Sequence, residues 1–346
     1  MPTTIKLGIN GLGRIGRLVL RNVWDDPAFK IVAVNSRSGA AHYAHLIKYD
    51  SSYGAWGKVV TAENNDAIII DGRRLPLFHE ADPARVPWGS LGVEVVVEST
   101  GVFRSRQDSA KHLQAGAQTV VISAPTKDAD VTLVPGVNED TYDPRRHRVI
   151  SAASCTSNCL APIVKVLHRH LRVVHGALVT THAYTNDQSL VDAPHRKEDF
   201  RRARAAYESI IPTTTGAAET IGLVLPELAG KLSAISMRVP VMLPSALNLA
   251  LEVGRSTSAL EVNTLLQAAC REELAGILSF SDLPLVSIDY KQNPHAGIVD
   301  GLSTEVVDGR LVSLLAWYDN EWGYVHQMLR LIQRLLRPLR PAMRSD

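Results

Sequence analysis

Residues 5–23 read IKLGINGLGRIGRLVLRNV. A short apolar run, IKLGIN, stops at Gly11. The following segment carries Ile15, Leu18, Val19 and Val23 at helical spacing. Between the two lies G-x-G-x-x-G, made of Gly11, Gly13 and Gly16. Alone, that pattern is weak, because any Gly-rich turn can match it. Here it follows a strand and opens a helix, which is the context its mechanism needs. Gly11 makes the tight turn, Gly13 lets backbone approach a pyrophosphate, and Gly16 lets helix pack on strand. The helix N-terminus then offers N–H groups and a favourable dipole to phosphate. The stretch predicts a dinucleotide-binding domain at the start of the chain.

One element of the pattern is missing. NAD-binding chains place Asp or Glu about ~20 residues beyond the fingerprint, on the adenosine ribose. Here KIVAVN, a second apolar run, is followed by Ser36 and Arg37. A carboxylate would repel a ribose 2′-phosphate. Ser36 removes that repulsion, and Arg37 offers a guanidinium fork that suits phosphate oxygens. The pair therefore points to NADP as the preferred dinucleotide, with NAD also usable.

Outward from this stretch the first half continues in the same rhythm. GAAHYAHLIKYD and SRQDSAKHLQAG read as helices, VEVVVEST, TVVISAP and HRVISAAS as buried strands, and AIIIDG with RRLPLF as a strand pair. Strands separated by helical segments imply βαβ units and a doubly wound parallel sheet. Beyond about Cys155 the strands lengthen and alternate: GALVTTHAY, KLSAISMRVPVM, SALNLALEVG, PLVSIDY and GRLVSLLAWYD. That predicts a second, α+β domain with a largely antiparallel sheet. The division expected is 1–154 for the dinucleotide-binding domain and 155–320 for a catalytic domain. A closing helical segment, 321–346, carries an apolar stripe (Val325, Met328, Leu329, Ile332, Leu336) to pack back on the first domain.

Composition narrows the function classes. A chain of 346 residues exceeds the size at which one core stops growing, so two domains are natural. A net charge of +2 makes no field for nucleic acid, and the Arg-rich end LRPLRPAMRSD reads as a solvated terminus. No apolar run is long enough for a membrane span. No secretion signal is visible at the start. Three cysteines, Cys155, Cys159 and Cys270, suit free thiols in a reducing compartment, so the expected location is cytoplasmic. Cys155 and Cys159 have no second pair or His cluster beside them, so no metal site is expected.

SAASCTSNCLAP is the second informative stretch. A strand, HRVISAA, runs into a helix with the stripe Leu160, Ile163, Val164 and Leu167, and Ser154 is a natural N-cap. Cys155 then lies at a helix N-terminus, where the dipole favours thiolate. Cys159, one turn on, reads as a buried thiol. Among 12 histidines, His182 ends an apolar strand beside TND, whereas His175 begins that strand. His182 is thus the candidate base.

Six ordered motifs — SAASCTSNCLAP, THAYTNDQ, RRARAA, IIPTTTGAA, MRVP and WYDNEWGY — together closely resemble the glyceraldehyde-3-phosphate dehydrogenase family. The match runs from GINGLGRIGR to the last helix. The resemblance implies that Cys155 attacks an aldehyde, that hydride passes to a nicotinamide, and that inorganic phosphate cleaves the resulting thioester. His182 would act as acid and base. Thr185 and Arg238 would hold the substrate phosphate. Ser154, Thr156, Thr215, Gly216 and Arg202 would hold the attacking phosphate. Asn320 would orient the nicotinamide carboxamide, Arg14 and Ile15 would lie at the pyrophosphate, and Ser123 would line the cofactor cleft. The resemblance also implies a homotetramer, with glycolytic or gluconeogenic flux. In VDAPH, Ala193 is small, as in NADP-using relatives, while Pro194 keeps the NAD-type pattern.

Erythrose-4-phosphate dehydrogenase is the rival substrate reading. It tends to alter the segments that here retain Thr185, Thr215 and Gly216. A catalytically idle nucleotide- or RNA-binding relative is the other alternative, disfavoured by the intact Cys155 and His182. Departures from the family are Ala152 for a usual Asn, Glu219 for a usual Lys, Ala81 for a frequent Arg, and a longer 195–202 loop.

Overall fold

The computed structural model describes residues 4–196 and 198–336. The rest of the Arg-rich end, 337–346, lies outside the described residues, as does Lys197 in the 195–202 loop. The chain divides into two compact units. Among the described residues, one holds 4–133, Glu139–Ala153 and 328–336; the other holds Val134–Asn138 and Ser154–Gln327. The junction beside the candidate nucleophile falls between Ala153 and Ser154. The closing helix, Trp322–Leu336, contributes to both units.

The first unit is built on a nine-stranded sheet. Its order is Val131–Thr132, Val149–Ser151, Thr119–Ile122, Val95–Glu98, Ile5–Asn10, Phe29–Asn35, Arg73–Phe78, Ala67–Ile70, Val60–Glu63. Pairings are parallel up to Arg73–Phe78 and antiparallel beyond. Val95–Glu98 is buried at every residue, as a strand covered on both faces must be. Chain order reverses on either side of Ile5–Asn10. The Gly11 turn therefore stands at the switch point, where such sheets bind ligands. SRQDSAKHLQAG forms two short helices, Arg106–Ser109 and Lys111–Gln114, and Gly116 follows them at φ +96°.

A buried polar network holds the underside of that turn. The Trp88 indole N–H donates to His112 Nδ1 (3.0 Å), so His112 Nε2 carries its proton toward Glu98 (3.1 Å). The Asn10 amide also donates to Glu98, at 2.5 Å, and the Asn35 amide donates to Asn10 Oδ1 at 2.7 Å. Glu98, His112 and Trp88 are at most 2% exposed, so each donor must find its acceptor inside the protein. The network ties the ends of three adjacent strands directly below the fingerprint.

The second unit carries a seven-stranded sheet, ordered Ile211–Thr213, Leu232–Val239, Val173–Ala183, Ser245–Val253, Leu311–Tyr318, Gly297–Val307, Leu278–Ser281. Two of its pairings are parallel and the rest antiparallel, which makes it largely antiparallel as expected. Along Val173–Ala183, Leu178, Thr180 and His182 are buried while Val179 is exposed, the period-2 alternation of a strand with one covered face. PLVSIDY does not form the expected strand. Ser287–Tyr290 is a 3-10 turn, closed by Asp289 accepting the Val286 N–H at 2.9 Å. The strand work is done instead by Leu278–Ser281 and Gly297–Val307.

Candidate active site

In the fingerprint, Gly11 has φ +97°, a conformation that glycine adopts without strain. A Cβ on Gly16 would stand 1.9 Å from Gly11 O, so the helix can approach the turn only with glycine there. A Cβ on Gly13 would meet only Ser99 O, at 3.9 Å, so space remains above the turn. Helix Arg14–Val23 has no side-chain cap at its N-terminus. Its first N–H groups thus suit a pyrophosphate, and these features together fit a dinucleotide. Arg14 pairs with Asp50 at 2.5 Å. Burial pushes the Asp50 carboxyl up, but Arg14 and the N–H groups of Tyr53 and Ser52 more than offset it and hold the group below its usual range. Ile15 is half-buried. Ser123 Oγ donates to Glu98 O at 3.0 Å.

At the adenosine end, Ser36 is buried and Arg37 is exposed. The Ser36 hydroxyl is already engaged: Leu12 N–H donates to it at 3.3 Å, and Tyr43 Oη lies 2.5 Å away. Tyr43 was not identified from the sequence. Its signal was only a position one turn into the helix after Ser36.

The strand-to-helix junction, from strand Val149–Ser151 to the helix that follows, forms as expected. Ser154 caps helix Cys155–Leu171, its hydroxyl accepting from Ser157 N–H at 3.1 Å. Ala153 just before it has φ +56°, a left-handed conformation that a Cβ disfavours. Cys155 Sγ lies 3.5 Å from His182 Nε2. His182 Nδ1 lies 2.7 Å from Ala183 O and 2.6 Å from Arg238 Nη1. His182 and Arg238 are register partners on neighbouring parallel strands, which is why they meet. The two contacts on Nδ1 select different tautomers. With Nδ1–H given to Ala183 O, Nε2 is free to accept the thiol proton. With Nδ1 accepting from Arg238, Nε2–H becomes a donor toward sulfur or an oxyanion.

Electrostatics define the resting pair. Burial pulls the His182 pKa down, assisted by the Arg238 charge, to about 3, so the ring is neutral. Burial also pushes the Cys155 thiol up, opposed by the Arg238 charge and by hydrogen bonds at Thr156. The helix-terminus expectation of a thiolate is thus outweighed by desolvation, and the resting pair is thiol and imidazole. Cys159 is fully buried, and burial pushes its thiol far up.

The phosphate candidates are partly assembled. Arg202 is paired with Asp187 (3.0 Å) and Asp199 (3.1 Å), and it donates to Thr214 O (3.2 Å), which draws it to the Thr215–Gly216 segment. Thr215 Oγ1 accepts from Ala217 N–H at 3.3 Å, and Gly216 is the exposed N-cap of helix Ala217–Val224. Thr185 sits in a turn with Gln188. The Thr156 hydroxyl lies 3.0 Å from Tyr318 Oη, and both its side chain and its backbone also reach the Cys155 thiol. Asn320 is buried, its Oδ1 accepting from Ser245 Oγ (2.9 Å), which in turn accepts from Ala183 N–H (3.0 Å). Tyr318 also reaches Thr180 Oγ1 (2.7 Å) and stands edge-on to the His182 ring. Ser245 and Tyr318 were missed in the sequence. Tyr318 lies inside the quoted WYDNEWGY motif, but nothing in the pattern says which way its hydroxyl points.

Residues 5–106 match the glyceraldehyde 3-phosphate dehydrogenase NAD binding domain, and residues 154–320 match the C-terminal domain of the same enzymes. The chain is 51% identical over 327 residues to glyceraldehyde-3-phosphate dehydrogenase of Geobacillus stearothermophilus, covering 94% of this chain and 97% of the relative. It is 47% identical over 331 residues to glyceraldehyde-3-phosphate dehydrogenase 2 of Bacillus subtilis, covering 96% of each. It is also 47% identical over 338 residues to glyceraldehyde-3-phosphate dehydrogenase 3 of a Nostoc species, covering 97% of this chain and 99% of the relative.

Proposed function

The chain belongs to the glyceraldehyde-3-phosphate dehydrogenase family, and on that premise we propose that it converts D-glyceraldehyde 3-phosphate and inorganic phosphate to 1,3-bisphosphoglycerate, with NADP preferred over NAD. The observation that carries this reading is Cys155 Sγ at 3.5 Å from His182 Nε2, with Arg238 on the other ring nitrogen. Cys155 gives its proton to His182 Nε2 as sulfur adds to the aldehyde carbon. His182 returns that proton to the carbonyl oxygen, and a thiohemiacetal forms on Cys155. The nicotinamide, when bound, accepts the hydride that leaves this carbon. His182 takes the hydroxyl proton in the same step, and a thioester remains on Cys155. Inorganic phosphate adds to the thioester carbon and expels the Cys155 thiolate, which recovers its proton from His182.

Gly11, Gly13, Arg14, Ile15 and Gly16 would hold the pyrophosphate, with Ser123 and Asn320 toward the nicotinamide. Ser36 and Arg37 would face the ribose. NADP preference is supported by the absence of a carboxylate at Ser36 and by the exposed guanidinium of Arg37. Thr185 and Arg238 would take the substrate phosphate. Ser154, Thr156, Thr215, Gly216 and Arg202 would take the attacking one. A homotetramer is supported by apolar side chains left exposed in the second unit, among them Leu190, Val191, Phe200 and Ile210. A cytoplasmic setting is supported by three free cysteines.

A steady-state assay tests the reading. Wild-type protein should reduce dinucleotide only when triose phosphate and inorganic phosphate are both present, and Cys155→Ser should lose at least ~10³-fold in kcat, about 4 kcal/mol. Undiminished turnover by Cys155→Ser would refute it, and faster turnover of erythrose 4-phosphate would replace the substrate. A kcat/KM favouring NAD tenfold or more would overturn the NADP preference.

A further inference from the structure

We propose that Tyr43 is a specificity-determining residue, its hydroxyl acting with that of Ser36 as one unit that reads the 2′ position of the adenosine ribose. The inference rests on the dinucleotide reading above and extends it to a side chain no motif includes.

The unit is built from both ends. Ser36 directly follows strand Phe29–Asn35, and its backbone is fixed by its N–H donating to Phe78 O (2.9 Å) and by His79 Nδ1 against its carbonyl (2.9 Å). Its Oγ accepts from Leu12 N–H inside the fingerprint turn at 3.3 Å, so the hydroxyl stands where pyrophosphate and ribose join. Tyr43 arrives from helix Ala40–Lys48, whose start is pinned by Asn65 Oδ1 accepting the Ala40 N–H at 3.1 Å. The two hydroxyl oxygens are 2.5 Å apart, and Ser36 is 9% exposed while Tyr43 is half-buried.

Proton inventory gives the consequence. Two hydroxyls bring two protons, and one is consumed between them. Ser36 Oγ donates to Tyr43 Oη, so the Tyr43 O–H remains to point at a ligand. A carboxylate at the same place would be an acceptor only, matched to a ribose hydroxyl and opposed to a phosphate. The Ser36–Tyr43 unit instead presents a donor without charge, and it can give a hydrogen bond to a 2′-phosphate oxygen. The bond from Ser36 also occupies one side of the Tyr43 oxygen, so this donor is turned away from Ser36 before the ligand arrives.

Calorimetric titration of the full-length protein with adenosine 2′,5′-bisphosphate and adenosine 5′-monophosphate tests this. Tyr43→Phe should bind the bisphosphate at least fivefold more weakly and the monophosphate within twofold of wild type, with an unchanged melting temperature. Tyr43→Phe binding both compounds as wild type does, or losing both equally, would overturn the assignment of Tyr43 alone. Wild type binding neither compound would overturn the dinucleotide reading on which it stands.

Discussion

His182 is neutral in the folded protein because burial and Arg238 both oppose its charge. In the unfolded chain the ring takes a proton near its ordinary value of about 6.5. Its folded pKa is the lower one, so the unfolded state binds more protons between those values, and stability falls as pH drops from about 6.5 to about 3. His182→Gln should flatten this acid limb, measured as the urea midpoint between pH 7 and pH 4. An identical slope in wild type and variant would remove His182 as the cause. Arg238 links the pair from behind: its charge lowers the Cys155 thiol pKa and also lowers that of His182. Arg238→Met should therefore move iodoacetamide alkylation of Cys155 to higher pH, and a profile left in place or moved down would contradict that. At this scale Cys155 and His182 were legible, because a strand–helix junction and a strand end are visible as patterns. Tyr318, Ser245 and Tyr43 were not, since their roles depend on hydroxyl directions set by strands far away in sequence.

Helix Ala217–Val224 begins at Gly216, which has no side chain to cap it; the Ala217 N–H goes to the Thr215 hydroxyl, and the dipole of this end favours an anion. Glu219 lies in its first turn. A carboxylate there strengthens the helix itself but opposes a phosphate bound at the same end. Glu219→Lys should lower the KM for inorganic phosphate several-fold with kcat little changed, read from initial rates at varied phosphate. A raised KM would reverse the assignment. At the next junction, Ala153→Gly relieves a left-handed Cβ and should raise stability by about 1 kcal/mol, seen as a higher urea midpoint. Most elements were readable because their apolar periodicity is strong. PLVSIDY failed because four apolar residues in seven resemble a strand, while one local bond from Asp289 to the Val286 N–H closes a turn. Gly297–Val307 was overlooked because GIVDGLSTEVV has two glycines and two charges, and its place is decided by its pairing with Leu311–Tyr318.

The whole chain divides into two units, yet it passes between them at residues 133/134, 138/139, 153/154 and 327/328. Neither unit is one continuous piece of sequence, so opening one strips segments from the other. Calorimetry should show a single unfolding transition, moved upward by adenosine 2′,5′-bisphosphate, by about 2.7 kcal/mol at a hundredfold excess over Kd. Two transitions, of which one alone responds to the nucleotide, would show the units to be independent. The doubly wound first unit and the largely antiparallel second were both apparent from strand spacing. The return of the chain to the first unit from Met328 onward was suggested by the apolar stripe of the last helix, whereas the excursion of Val134–Asn138 into the second left no mark in composition.

Trp88, sealed at 0% exposure with its indole N–H held by His112, has an optical consequence. An indole shut away from water emits toward the blue, and a neighbouring imidazole changes its brightness. Trp317, stacked on Tyr290, belongs to the second unit. Of the five tryptophans of the chain, Trp88 and Trp317 are thus fluorophores of different surroundings, one in each unit. Keeping Trp88 alone or Trp317 alone, with the other four tryptophans replaced by Phe, would leave a label-free gauge by which the opening of each unit can be timed separately in a stopped-flow cell.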